Sequence, residues 1–136
     1  MADYAITVAN VAAQSGSTQA SGTSGATITQ GDAIYIDASD SNKIKVADCT
    51  TSAATAAAKG IALNSALSGQ PVTYAKAGSS VNLGTTLAIG DVIILSEAGA
   101  IAPVADLASA DYLTIIGHAT STTLATLTMD VGGLKA

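Results

Sequence analysis

Apolar residues occur along this chain in short runs and not at the spacing of an amphipathic helix. Val, Ile and Thr recur in these runs, and Gly, Ser, Asn and Asp separate them, which is the pattern of short β-strands joined by turns. Residues 4–8 alternate well enough to predict one strand. Residues 14–25 are all small or polar, so we expect a mobile loop there. The pattern predicts an N-terminal arm and flexible Ser/Thr/Gly spacer over residues 1–26.

From residue 27 onward, the chain is predicted to be a single β-domain, 27–136, with an internal repeat. Residues 27–36 resemble residues 86–95, so that the dipeptide Gly31-Asp32 aligns with Gly90-Asp91. The later matching blocks keep the same order along the chain: 46–48 with 104–106, 60–62 with 117–119, and 72–78 with 127–133. Four matched blocks in one order predict two related halves, 27–83 and 84–136.

Each half begins with a Gly-Asp dipeptide that predicts a tight turn. Glycine takes the positive φ that such a turn requires, and the aspartate accepts hydrogen bonds from backbone amides where the next strand starts. Residues 52–59 and 106–113 each have room for one or two turns of helix. We therefore expect an all-β fold, a small sandwich or barrel of two pseudo-repeated halves, with an extended N-terminal arm and minor short helices.

Composition narrows the class of protein further. The chain has 136 residues and a net charge of -5, and its five cations are scattered lysines, so nucleic-acid binding is disfavoured. The apolar runs are too short to cross a bilayer, and the first residues lack the pattern of a signal peptide, so we expect neither a membrane segment nor export. Without Phe or Trp the core is thin, which favours further burial between subunits.

The few reactive side chains do not form a catalytic pattern. His118 stands where the first half has Ile61, and Cys49 is the only cysteine, with no His beside it in sequence. Asp32 and Asp91 share one turn context, whereas a catalytic carboxylate pair needs two environments that separate the pKa values. We therefore expect no enzyme activity, no metal, no cofactor and no small-molecule substrate, and the remaining function classes are assembly and binding.

The order of several segments resembles a known family. These segments are 1–11, 28–37, 60–64, 69–72, 89–96, 99–103 and 116–119, which together cover nearly the whole chain. In this order they are similar to the capsid decoration proteins of tailed bacteriophages, also called cement or head-stabilisation proteins. The resemblance implies a small, mainly β structural protein of the virion.

The resemblance also implies partners. Such proteins bind the outer surface of an expanded capsid, usually as homotrimers, and stabilise it by bridging major capsid protein subunits. Their N-terminal arm reaches the capsid or an adjacent subunit, and here Tyr4, Ile6 and Val8 are the side chains expected to make that contact. The protein would be made in the host cytoplasm and would act on the outside of the virion. An adhesive or carbohydrate-binding β-domain of a virion surface or head fibre is the alternative, although its sugar site would have only four tyrosines for stacking.

Overall fold

The fold is an all-β sandwich of two antiparallel sheets packed against each other, which confirms the predicted fold class. The computed structural model describes residues 3–106 and 111–134. The strands are β1 (Ala12–Ala13), β2 (Gln19–Thr23), β3 (Ala33–Asp37), β4 (Lys43–Val46), β5 (Gly60–Ala62), β6 (Pro71–Ala75), β7 (Ser80–Asn82), β8 (Val92–Leu95), β9 (Ile101–Pro103), β10 (Tyr112–Ala119) and β11 (Leu124–Leu134).

The two sheets are built to the same plan. Sheet 1 has the strand order β2-β6-β5-β3-β4, and sheet 2 has the order β1-β7-β11-β10-β8-β9. Five strands therefore correspond one to one, from β2 with β7 at one side to β4 with β9 at the other. Sheet 2 differs only by the addition of the short strand β1 beside β7.

Matching hydrogen bonds show that the two halves are alike in detail. Gly31 has φ +97° and donates its N–H to the carbonyl of Ala62 (2.9 Å). Gly90 has φ +89° and donates in the same way to the carbonyl of Ala119 (2.9 Å). Both glycines lie in the turn that leads into a central strand, β3 or β8, and only glycine adopts this left-handed backbone without strain. Sequence positions 59 residues apart therefore occupy the same place in the two halves.

The predicted boundaries of the halves and the predicted flexible spacer need correction. Residues 19–23 are not a mobile loop, because β2 pairs with all five residues of β6. Small and polar residues are sufficient there because the pairing is made mainly by backbone groups, and the hydroxyls of Ser21 and Thr73 add one side-chain bond between the two strands (2.9 Å). The strand β7 lies in sheet 2, so the first structural unit starts at β2 and the second at β7, before the predicted boundary at residue 84.

Helix is a minor element, as the sequence predicts. The α-helix α1 (Ala53–Ala56) begins with a capping box in which Ser52 and Thr55 satisfy each other's backbone N–H groups. Short 3-10 helices cover Val8–Asn10, Ala38–Asp40, Glu97–Gly99 and Val104–Asp106. The helix predicted over residues 106–113 is wrong at its end, because Tyr112 begins β10 and pairs with β11; residues 107–110 lie outside the described part of the chain.

Two buried clusters make up the core. The larger joins the two sheets, and its largest side chains are Ile61, Val81, Leu83, Ile93, Leu95, Ile101, Ile116 and Leu127. The smaller, formed by Ile28, Ile34, Ile44, Ala62, Ala66, Val72 and Tyr74, lies on the opposite face of sheet 1, because successive residues of a strand point to opposite faces. Glycine lets neighbouring strands approach closely at corresponding places in the two sheets. A Cβ at Gly60 would collide with the carbonyl oxygen of Ala75, and a Cβ at Gly117 would collide with that of Thr126.

We expect Gly117→Ala to destabilise the protein by about 3 kcal/mol, because the added methyl group would force β10 away from the backbone of β11. The matched control is Gly69→Ala, whose Cβ would meet nothing within 4 Å and whose cost of about 1 kcal/mol comes from its φ of +89° alone. Urea denaturation measures both values. Equal losses in the two variants would show that the close approach at Gly117 is unimportant.

Candidate functional site

The N-terminal arm, residues 3–8, lies against the rest of its own chain. The backbone N–H of Tyr4 donates to the carbonyl of Ile101 in β9 (2.9 Å), and the N–H of Thr7 donates to the carbonyl of Gly84 (2.7 Å). Because β9 is the last strand of sheet 2 and Gly84 follows β7, the arm joins the two sides of that sheet. Its backbone therefore satisfies groups that the edge of β9 would otherwise present to solvent.

Sheet 1 closes at the corresponding place without an added segment. There the N–H of Gly25 donates directly to the carbonyl of Ile44 in β4 (2.8 Å). Ile44 corresponds to Ile101, because Ile44 pairs with Ile36 in β3 just as Ile101 pairs with Leu95 in β8. The N–H of Tyr4 in the arm thus bonds to the outer strand of sheet 2 in the way that the N–H of Gly25 bonds to the outer strand of sheet 1.

Two glycines make room for the apolar side chains at the base of the arm. A Cβ built on Gly31 or Gly84 would lie 3.1 Å from Cγ2 of Val11 and 3.2–3.4 Å from Cγ2 of Ile6. Gly84 follows β7 at the position that Gly25 has after β2. Val11 is buried, and Ile6 packs against the core as a half-buried residue. Both halves of the protein therefore contribute to the place where the arm binds.

Side chains add polar contacts along the arm. The hydroxyl of Tyr4 donates to Oδ2 of Asp91 (3.4 Å), and the hydroxyl of Ser96 donates to Oδ1 of Asp3 (2.5 Å). Both partners in the body belong to the second half, on either side of β8. The arm is held by backbone and side-chain bonds to sheet 2 and by apolar packing against both halves.

The structure corrects the predicted position of the arm. Residues 4–8 contain no β-strand, and they lie on the body instead of standing away from it, because β9 offers them an open edge. Tyr4 and Ile6 are half-buried against the protein's own core, whereas Val8 begins a 3-10 helix and is 38% exposed. That Tyr4, Ile6 and Val8 contact another protein remains a prediction, and Val8 is the member of the set that is exposed in this structure.

Asp32 and Asp91 both stabilise their turns, as the sequence predicts. A carboxylate oxygen of Asp32 accepts the N–H of Thr29 (2.9 Å), and one of Asp91 accepts the N–H of Ala88 (3.1 Å). Burial raises the pKa of Asp32 above its ordinary value. Each carboxylate thus has a backbone partner within three residues, and both are part of the frame of the sandwich.

Cys49 and His118 are in different kinds of surroundings. Cys49 is buried, and its N–H donates to the carbonyl of Ser96 (3.3 Å). Burial, followed by the nearby charge of Asp111, raises the pKa of the Cys49 thiol to about 11. His118 is exposed in β10, where it pairs with Val92 of β8. The thiol is therefore protonated at neutral pH, which is the opposite of what a nucleophilic cysteine needs.

A small ionic network lies at the outer strand of sheet 1. Lys45 bonds to Asp37 (2.8 Å) and Asp40 (3.0 Å), and Lys43 forms a longer ion pair with Asp40 (3.9 Å). The hydrogen bond from Lys45, with a second from Ser39, lowers the pKa of Asp37 to about 2. These groups neutralise one another on the surface, so the network leaves no single-sign patch for a charged ligand.

Two open cavities occupy corresponding places in the two halves. The larger, of about 450 Å³, is mainly polar and lies beside the arm; its lining residues are Ala5, Thr7, Asn10, Asn82, Gly84, Thr85, Thr86 and Thr123. The smaller, of about 220 Å³, is lined by Thr27, Ile28, Thr29, Ser65, Ala66, Leu67 and Gln70. In each half the cavity lies beside the segment that precedes the Gly-Asp turn. Its other wall is the loop between β5 and β6 in the first half and the loop between β10 and β11 in the second. Neither cavity has a tyrosine in its lining.

The sequence did not predict how the two sheets close or where the cavities lie. The closure of sheet 1 by Gly25 falls inside the segment that was expected to be a mobile spacer, and the correspondence of Gly25 with Gly84 is visible only once β2 and β7 are aligned. A signal for the smaller cavity was present, since Leu67 is the one large apolar residue in the small and polar segment 64–70.

Within residues 3–106 and 111–134, no three His, Cys, Asp or Glu side chains come together as a metal site. No helix there has the length and apolar character that a membrane crossing requires.

Comparison with models of known protein families finds no matching family, and comparison with curated proteins finds no match. A function is therefore argued from the residues and the geometry of this chain.

We expect Ile6→Ala to destabilise the protein by about 1–2 kcal/mol, roughly half the cost of the same truncation in a full core, because Ile6 is half-buried over Gly31 and Gly84. Val8→Ala, in the same segment but exposed, is the control and should change stability by less than about 0.5 kcal/mol. Urea denaturation compares the two. A loss in Ile6→Ala no larger than in Val8→Ala would mean that the arm does not help to hold sheet 2 closed.

The buried thiol gives a second prediction. At pH 8, Cys49 of the native protein should react with Ellman's reagent at least roughly a hundredfold more slowly than the same residue in guanidinium chloride, because a rise of pKa from 9.0 to about 11 removes most of the thiolate and burial blocks access. Absorbance at the released thionitrobenzoate band follows the reaction. Rapid modification under native conditions would show that Cys49 is accessible and ionised.

Proposed function

We propose that this protein is a structural virion protein that binds the outer surface of an expanded phage capsid and stabilises it by bridging major capsid protein subunits. The proposal follows the resemblance of the sequence to capsid decoration proteins, and it assigns no catalytic activity. It includes assembly as a homotrimer, synthesis in the host cytoplasm and action on the outside of the virion.

The observation that carries the proposal is the binding mode of the N-terminal arm. In this extended segment the N–H of Tyr4 bonds to the carbonyl of Ile101 in the edge strand β9, and the N–H of Thr7 bonds to the carbonyl of Gly84. Backbone bonding to a sheet edge needs no particular side chain in the partner, and strand addition is a common way for one protein to bind a β-edge of another, which supports the proposal. Val8 is exposed where the arm meets the body, which supports its proposed contact with a neighbouring protein.

Stabilisation would follow from mass action. A protein that binds the expanded lattice and not its separated subunits lowers the free energy of the lattice by an amount that grows with concentration and affinity. Many copies that each bridge two subunits add their effects, because a bridged subunit cannot leave until several contacts break together. Such a role needs binding surfaces and no reactive group.

The alternative function, an adhesive or carbohydrate-binding domain, has less support. The larger cavity has hydroxyl and amide groups, but sugar sites usually include an aromatic ring that stacks on the sugar. Tyr74 is buried, and Tyr4, Tyr35 and Tyr112 are partly buried against the core. Binding of the purified protein on a glycan array would favour this alternative.

Binding to capsids tests the proposal directly. The purified protein should bind expanded capsids of the phage that encodes it, bind unexpanded procapsids much less, and raise the temperature at which expanded capsids are disrupted. Val8→Asp should weaken the binding by about tenfold, which corresponds to about 1.4 kcal/mol, because it places a charge in the arm contact. Val104→Asp, at another exposed valine, is the control and should bind like the natural protein. Equal binding to procapsids and expanded capsids, or no binding, would contradict the proposal.

A further inference from the structure

The two halves close their sheets at corresponding places in two different ways. In the first half, the N–H of Gly25 donates directly to the carbonyl of Ile44 in β4 (2.8 Å). In the second half, the N–H of Gly84 donates to Oδ1 of Asn82 (2.9 Å), and the N-terminal arm supplies the bond to the carbonyl of Ile101 in β9. The arm therefore occupies a place that a single direct bond closes in the first half.

Matching hydrogen bonds establish that the two glycines correspond. The residue before each glycine donates its N–H to a loop carbonyl: Ser24 to that of Gln70 (2.9 Å), and Leu83 to that of Thr123 (3.3 Å). Gln70 lies directly before β6, and Thr123 lies directly before β11. The glycines are 59 residues apart, like the glycines of the two Gly-Asp turns. The direct bond of the first half is therefore a template for the second.

The backbone of Gly84 is adapted to the docked arm. The N–H of Thr7 donates to the carbonyl of Gly84 (2.7 Å), and a Cβ built on Gly84 would lie only 2.5 Å from the carbonyl oxygen of Thr7. Gly84 has φ +72°, in the left-handed region that favours glycine, whereas Gly25 does not have a positive φ. The two corresponding glycines thus differ in conformation where the arm contacts one of them.

The attachment of the arm to the body has a hinge. Val11 is buried, and Nε2 of Gln30 donates to its carbonyl (2.7 Å), so the chain is anchored there. The 3-10 helix Val8–Asn10, directly before this anchor, contains no buried residue. Within residues 3–8, two side chains are half-buried and four are exposed. The arm is therefore separated from its anchor by a short exposed segment.

We propose that the second half has a second closed state, in which residues 3–8 are released and the N–H of Gly84 donates to the carbonyl of Ile101. The docked arm and this direct bond exclude each other, because Tyr4 and Thr7 bond to those two residues and hold the arm between them. A partner that captures the released arm shifts the protein toward this state. The inference concerns the isolated protein, goes beyond the proposed function and does not depend on it.

Direct closure leaves no buried polar group without a partner. The carbonyl of Ile101, which loses the arm, accepts the N–H of Gly84 in its place. This change frees Oδ1 of Asn82 and the carbonyl of Gly84, but both residues line the open polar cavity of about 450 Å³, where water reaches them. An unpaired buried carbonyl would make release costly, and direct closure removes that cost.

Gly84→Ala in the full-length chain tests the release of the arm. The added methyl group would collide with the carbonyl oxygen of Thr7 and would strain a φ of +72°, and both penalties belong to the docked state. We expect the N–H groups of Tyr4 and Thr7 to exchange with deuterium at least roughly tenfold faster than in the natural protein, while the cooperative urea transition is retained. Nuclear magnetic resonance measures this exchange for each residue.

Gly90→Ala is the matched control, because its φ is +89° but its Cβ would meet nothing within 4 Å. It strains the backbone to a similar degree and should leave the exchange of the arm unchanged. Arm amides that stay protected in Gly84→Ala, or that both substitutions free equally, would contradict the proposal. Loss of the cooperative transition in Gly84→Ala alone would also contradict it, because the fold would then require the docked arm.

Paired cysteines test the direct bond. In the first half, a Cβ built on Gly25 would lie 3.0 Å from Cβ of Lys43, a separation that a disulfide reaches with a shift of less than about 1 Å. Lys43 and Ala100 each precede the acceptor residue of their half. The corresponding pair in the second half is therefore Gly84→Cys with Ala100→Cys.

Both pairs are made in a full-length Cys49→Ala chain, and each should oxidise completely and raise the urea midpoint. The second-half disulfide should also release the arm, whereas the first-half disulfide should leave it docked. The direct closure is overturned if only the first-half pair oxidises, or if the second-half disulfide forms while the arm amides stay protected. Capsids take no part in these measurements, so the capsid-binding assay judges the proposed function separately.

Discussion

The closure of each half by backbone hydrogen bonds is the constraint on which the rest of the structure depends. A sheet edge presents unpaired N–H and carbonyl groups, and these must be covered or satisfied. Sheet 1 does this locally, because Gly25 bonds to Ile44, whereas the corresponding carbonyl of Ile101 in sheet 2 accepts a hydrogen bond from Tyr4 of the arm. The arm is therefore a part of the fold. Its anchor, Val11, is buried between the two halves.

A core without Phe or Trp is workable because the backbones approach closely. Gly60 and Gly117 bring neighbouring strands together at corresponding places, and buried alanines such as Ala33 and Ala75 leave little space between the sheets. Small residues lose part of the hydrophobic gain that large side chains would supply, but close contact recovers dispersion energy over many atoms.

The internal repeat gives the protein two similar surfaces that differ at a few positions. Gln30 in the first half corresponds to the exposed Ile89 in the second, and the loop of residues 63–70, which contains the exposed Leu67, is four residues longer than its counterpart at residues 120–123. Tyr4 and Ile6 pack on the protein's own core, whereas Val8 is exposed.

The sequence by itself determined the all-β class, the two halves and the Gly-Asp turns at residues 31–32 and 90–91, because strand periodicity, a glycine with positive φ and an aspartate that accepts backbone bonds are local properties. It did not determine that residues 19–23 form β2, since a strand of Gln, Ala, Ser, Gly and Thr is stabilised mainly by its backbone pairing with β6, a strand distant in sequence. The position of the arm also required the tertiary structure. Only the folded sheets show that β4 bonds to Gly25, whereas β9 bonds to the arm. The hydrogen bond between Tyr4 and Ile101 joins residues that are 97 positions apart, and local sequence patterns do not connect them.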